Sequence, residues 1–133
     1  MKLSTDKMKE MKVMEKTLYE RLGGAQGVRK LANDIADRHL ENPLIKTRYE
    51  AVEDMDKVKQ IVFEFIGAGT GGPETYTGKG MLEAHRGMNI SEQEFIAVLD
   101  DIMLAMDDNN LGEAEKKDML AIGYSLKNEI IRV

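Results

Sequence analysis

The chain has 133 residues, the length of one ordinary domain, and its 24 acidic against 19 basic side chains give a formal charge of −5. That balance argues against nucleic acid as a partner, because a phosphate backbone selects basic surfaces. The absence of cysteine excludes disulfides, thiolate metal sites, iron–sulfur clusters and thioether-linked haem. Residues 1–16 lack the continuous apolar core of a signal peptide, and no later run approaches the roughly 18 apolar residues of a membrane span. The expectation is a cytoplasmic protein without a membrane partner.

Taken in chain order, the Lys/Met/Glu-rich segment 1–16 reads as a helical extension or tail, and residues 17–133 as the folded domain. Thr17 and Glu20 have the spacing of a capping box, opening a short helix with Leu18 and Leu22 on one side that Gly23-Gly24 ends. Val28, Leu31, Ala32, Ile35, Ala36 and His39 then recur at helical spacing until Asn42-Pro43 breaks the pattern. An irregular stretch over 44–54 leads to a second stripe of Val58, Ile61, Val62, Phe65 and Ile66.

From Gly67 to Gly87 seven of the 12 glycines gather with Pro73, and regular helix is not expected to persist there. Ser91 and Glu94 form a second capping box. The stripe it opens, Phe95, Val98, Leu99, Ile102, Met103 and Met106, is expected to be the most buried helix. A loop over 107–112 precedes a last helix with Met119, Ile122, Leu126 and Ile130 inward. No segment alternates with period two, so the fold class is all-α.

Only two histidines are present, His39 and His85. A zinc site needs more ligands, whereas a haem site asks for one neutral imidazole, an apolar slot and donors or cations at the rim. His85 follows the glycine-rich stretch in Met81-Leu82-Glu83-Ala84-His85, where a short helix held between flexible connections can present its ring between the long apolar helices. A solvent loop with a surface or hydrogen-bonded histidine has the same spacing.

The string Gly71-Gly72-Pro73-Glu74-Thr75-Tyr76-Thr77-Gly78-Lys79-Gly80-Met81, followed by Ala84-His85-Arg86-Gly87-Met88-Asn89-Ile90-Ser91 and Phe95, resembles the core signature of group 1 truncated haemoglobins. With Leu22-Gly23-Gly24 and Asn42-Pro43 upstream, the resemblance covers roughly residues 17–131. It implies a two-over-two helical sandwich around a non-covalent haem b, with His85 as the metal ligand. It further implies a pocket of Met81, Ala84, Met88, Ile90, Phe95 and Val98, with Tyr76 and Lys79 near the rim. Tyr49 stands where the family usually has a phenylalanine packed flat on the ring.

Relatives that hold oxygen tightly carry a tyrosine and a glutamine on the distal side. Here those positions align with Ala36 and Val62, with Ile35, Val58 and Ile66 completing an apolar wall. The expected partners are diatomic gases, released readily for want of donors. The expected activity is gas binding, with nitric oxide dioxygenation or weak peroxide chemistry as redox options. A haem-free interaction module is the alternative. His39 is expected either to reach the distal cavity, as a donor or sixth ligand, or to be a buried histidine bonded to a carbonyl or carboxylate; the second reading is favoured. Arg48, Lys57 and Lys79 are candidate cations for the propionates.

Overall fold

The computed structural model describes residues 4–8 and 16–133. Residues 5–8 are helical and exposed, and the rest of the expected N-terminal extension lies outside the described residues. Helices α1 (Leu18–Arg21), α2 (Gly24–Glu41), α3 (Met55–Gly69), α4 (Met81–His85), α5 (Glu92–Asp108), α6 (Glu113–Ser125) and α7 (Lys127–Ile130) follow in order, with a 3₁₀ turn at Lys46–Tyr49. Among the described residues there is no strand, only an isolated parallel bridge between Ile90 and Ile131.

Local chemistry sets the helix starts. Thr17 accepts from the Glu20 amide at 3.1 Å to open α1. At α5 both halves of the capping box form, the Glu94 amide to Ser91 Oγ at 3.0 Å and the Ser91 amide to Glu94 Oε1 at 3.1 Å. Caps of this kind contribute about 1 kcal/mol each. Between α1 and α2 the turn needs Gly23 at φ 104°, a left-handed conformation that costs glycine little.

Helix α2 packs against both α3 and α5. Val28, Leu31 and Ala32 are fully enclosed there, and the core continues through Leu18, Leu22, Ile35, Phe63, Ile66, Ala105, Met106 and Met119. A second cluster of Ile90, Phe95 and Leu99 lies against Met88, Ile130 and Ile131. Helices α2 and α5 bury six residues each, but only on α2 do these make up the whole expected stripe. Neighbours cover α2 on two sides, whereas α5 buries Phe95, Leu99 and Met106 but leaves Val98 and Ile102 half-buried.

The α3 stripe divides in a similar way. Phe63 and Ile66 enter the core and the half-buried Val62 packs against it, while Val58, Ile61 and Phe65 stay half-buried outside it. Helix also persists past Gly67 to Gly69, against expectation. Gly67 is buried beside Glu74, whose Oε2 would lie 2.5 Å from an added Cβ. The missing side chain is what lets the following segment fold back that closely. Thr70 ends the helix, its hydroxyl donating to the Ile66 carbonyl at 2.7 Å and its carbonyl accepting from the Tyr19 amide at 2.9 Å. Residues 71–80 contain no helix, as their glycines lead one to expect. The final helix breaks at Leu126, so α6 and α7 stand where one helix was expected.

Candidate cofactor site

Five residues of α4 bring His85 to the edge of a cavity of about 190 Å³. The walls are apolar, with Ile45, Met88, Ile90, Phe95, Val98 and Ile130, and Tyr49, Arg48 and Glu94 complete the lining. The His85 ring is half-buried, and its Nδ1–H donates to the Met81 carbonyl at 2.7 Å. A carbonyl can only accept, so this contact assigns the proton to Nδ1 and leaves the lone pair of the neutral ring on Nε2. That arrangement, with one nitrogen anchored and the other available, is how histidine is prepared as a metal ligand.

A second recess, lined by Val52, Lys57, Val58, Ile61 and Val62 with Asp54 at its edge, opens on the flank of α3. The backbone links the two recesses where the Val52 amide donates to the Tyr49 carbonyl at 3.1 Å. Tyr49, His85, Met88, Ile90, Phe95 and Val98 thus share the first recess, and Val58 and Val62 share the second. Met81, Ala84, Tyr76 and Lys79 line neither. Tyr76 packs edge-on against Phe65 at 5.3 Å and donates to the Lys79 carbonyl at 2.6 Å. Ile35 and Ile66 belong to the closed core, and Ala36 is buried with them on α2.

His39 is 7% exposed, and its Nδ1–H donates to Asp101 Oδ2 at 2.8 Å. Asn42 donates to both oxygens of the same carboxylate, at 3.1 and 3.2 Å. Burial holds His39 below the ordinary histidine value although Asp101 pulls the other way, so the ring is neutral near pH 7. Of the two sequence readings of His39, the structure displays the carboxylate-bonded one. The ring also stacks on Tyr49 at 5.9 Å and 15°. Burial, with Asp101 adding to it, pushes the Tyr49 phenol up, so its O–H stays protonated.

Arg48 sits at the cavity edge but is committed to protein partners. It pairs with Glu94 through Nε at 2.6 Å and Nη2 at 2.9 Å, and it donates to the Met88 carbonyl at 3.0 Å. The Arg48 guanidinium and the cap on Ser91 hold the Glu94 carboxyl down at about 2. Sequence reasoning did not find Ile45, Glu94, Ile130 or Asp101. Asp101 left a signal, being an acid on the buried face of α5 in register with Ala97 and Ala105. Ile45 left none, since nothing local distinguishes it within an irregular stretch.

The donor set fits a haem. Among the described residues no three His, Asp or Glu side chains converge on a point that could hold a bare ion. A porphyrin brings its own equatorial nitrogens, so one prepared imidazole beside an apolar slot suffices.

An all-helical chain with a single anchored imidazole at an apolar cavity beside its long helices has the layout of a globin. The family described as bacterial-like globin matches residues 17–131, and the chain belongs to it. A group 1 truncated hemoglobin of Tetrahymena pyriformis is 31% identical over 115 residues, which span 78% of this chain and 94% of that protein. The crystal structure of truncated hemoglobin from the same organism, in its Fe(III) form, superposes with a TM-score of 0.85 at 24% identity, covering 89% of this chain and all of that one. A 2/2 hemoglobin from Synechococcus, crystallised in the cyanomet state with covalently attached heme, superposes at 0.79 with 23% identity, covering 87% and 98%. The fold is the truncated, two-over-two globin fold.

Proposed function

We propose that this chain holds one non-covalent haem b through His85 Nε2 and binds a diatomic gas on the opposite face. As a truncated globin it is a haem-binding, gas-binding protein; the ligating residue, the mode of attachment and the pocket are our reading. The observation that carries it is the His85 ring, anchored to Met81 at 2.7 Å at the edge of an apolar cavity. The lack of cysteine supports non-covalent attachment, since no thioether can form. Haem iron, when bound, supplies the coordination position for the gas.

The chain's own residues do the rest. Met81 fixes the ring tautomer, Phe95, Val98, Ile90 and Met88 exclude water, and Lys57 beside the second recess offers a cation to a propionate. Arg48 serves that role less well, because Glu94 already holds it. Val58, Ile61 and Val62 supply no donor to a gas, which favours rapid release.

The test is an absorption spectrum of the purified protein reconstituted with haem, in ferric, ferrous and carbon-monoxide forms. Wild type is expected to show a histidine-ligated Soret band that His85→Ala displaces or abolishes. An unchanged band in that variant removes His85 as the ligand. Val62→Gln is expected to slow oxygen release about tenfold, the scale of one hydrogen bond to a partly charged acceptor; stopped-flow release at the wild-type rate contradicts the apolar-wall account.

A further inference from the structure

Helix α4 spans only Met81–His85, too short to hold an orientation by itself. Upstream, residues 71–80 contain no helix, and their ties to the body of the fold, Thr77 to Glu64 and Tyr76 to Phe65, lie eight and nine residues before His85. Downstream the chain is gripped. The amides of Gly87 and Asn89, two and four residues past the histidine, both donate to the main-chain oxygen of Val133, at 3.2 and 3.1 Å. The Arg132 amide donates to the Ile90 carbonyl at 2.9 Å, and Ile90 and Ile131 form the bridge noted above.

The loop is shaped for this grip. Gly87 at φ 88° and Asn89 at φ 51° adopt left-handed conformations that turn both amides to one acceptor, and Arg132 at φ 56° bends the other partner to meet them. One residue before the bridge, Ile130 lines the cavity beside His85, and α7 packs against α4.

We infer that residues 130–133 are the positioning element for the proximal histidine: a backbone strap that sets where the His85 imidazole stands in the cavity. Because the strap works through main-chain atoms, the identity of the Val133 side chain is immaterial to it. The inference rests on His85 being the haem ligand, and it adds that the ligand's placement is controlled from the far end of the domain.

The experiment compares haem-reconstituted wild type, Val133→Ala, a chain ending at Arg132 and a chain ending at Ile130. Resonance Raman of the ferrous forms reads the iron–imidazole stretch, and transfer to an excess of a haem acceptor reads haemin dissociation. Val133→Ala is expected to match wild type. Ending at Arg132 removes the shared acceptor, and ending at Ile130 removes the bridge as well. Each is expected to shift and broaden the stretch and to release haemin faster, by about tenfold for the shorter chain, the scale of losing two or three backbone hydrogen bonds. Far-UV circular dichroism establishes that each variant keeps its helices. Should the shorter chain not fold, the chain ending at Arg132 and amide exchange in intact protein decide: slow exchange at Gly87 and Asn89 is the expected result. An iron–imidazole stretch and a haemin release rate identical to wild type in the strap variants overturn the strap alone. A wild-type protein whose haem is not on His85 overturns the strap together with the proposed function.

Discussion

Asp101 is 4% exposed, yet its carboxylate is bonded to His39 and twice to Asn42, which is how a charge is tolerated inside a helical core. Removing one partner leaves the carboxylate under-bonded. His39→Leu is therefore expected to cost about 3 kcal/mol in urea unfolding, and the double variant His39→Leu/Asp101→Leu to recover part of it. A single variant as stable as wild type contradicts the pair's structural role. Two acid limbs follow from the shifted groups. His39 is held below its ordinary value, so the unfolded chain takes up that proton first, and stability falls as pH drops below about 6.5. Glu94 is held near 2, so its contribution is complete above the ordinary carboxylate range and is lost as pH falls towards 2. Arg48→Met is expected to flatten the second limb only, removing about 1 kcal/mol for a bidentate pair that is partly screened by solvent. Urea midpoints measured between about pH 7 and pH 2 separate the two limbs; an unaltered low-pH limb in Arg48→Met sinks the assignment to Glu94.

At the scale of elements, the glycine-rich connection is a set of close approaches. At Gly72 an added Cβ lies 2.5 Å from two carbons of the Tyr19 ring and from Glu74 Oε2, in the place where the Tyr19 hydroxyl donates to Glu74 at 2.7 Å. Gly69, at the exposed end of α3, meets nothing within 4 Å. Gly72→Ala is thus expected to destabilise by about 1–3 kcal/mol, and Gly69→Ala to be neutral or slightly stabilising. Equal urea midpoints for the two variants contradict this account. From sequence, the glycines at 71–80 mark the absence of helix correctly. Nothing in them says which are packed and which are free, because that depends on Tyr19, some fifty residues earlier in the chain. The split of the α3 stripe has the same origin. Spacing identifies the apolar residues of one helix, and the neighbours decide that Phe63 and Ile66 go to the core while Val58 and Val62 border a recess. Capping signals, in contrast, are local, and Thr17 and Ser91 start helices where the spacing puts them.

For the molecule as a whole, the two apolar clusters divide the work. The larger is built on α2 and closes on itself, whereas the smaller one around Ile90, Phe95 and Leu99 adjoins the cavity lined by His85 and Ile130. His85 and Phe95 were legible because they sit in a motif, and Val98 because it follows Phe95 on the same apolar stripe; Ile45 and Ile130, brought to the same cavity from elsewhere in the chain, were not. A ligand that fills that cavity binds the folded chain and not the unfolded one, so it must raise stability by mass action, by about 2.7 kcal/mol at a hundredfold excess over its dissociation constant. For a domain of this size that is a rise in Tm on the order of 10 °C. The gain is expected to concentrate in the smaller cluster, with amide exchange slowing from Ile90 to Leu99 and over α7, and changing little at Val28–Ile35, which is already enclosed. His85→Ala is expected to lose most of the haem-induced rise in Tm while leaving the haem-free Tm near that of wild type, since among the described residues its half-buried ring bonds only to Met81 within its own helix. A rise that is the same in both proteins means that haem binds somewhere other than against this imidazole.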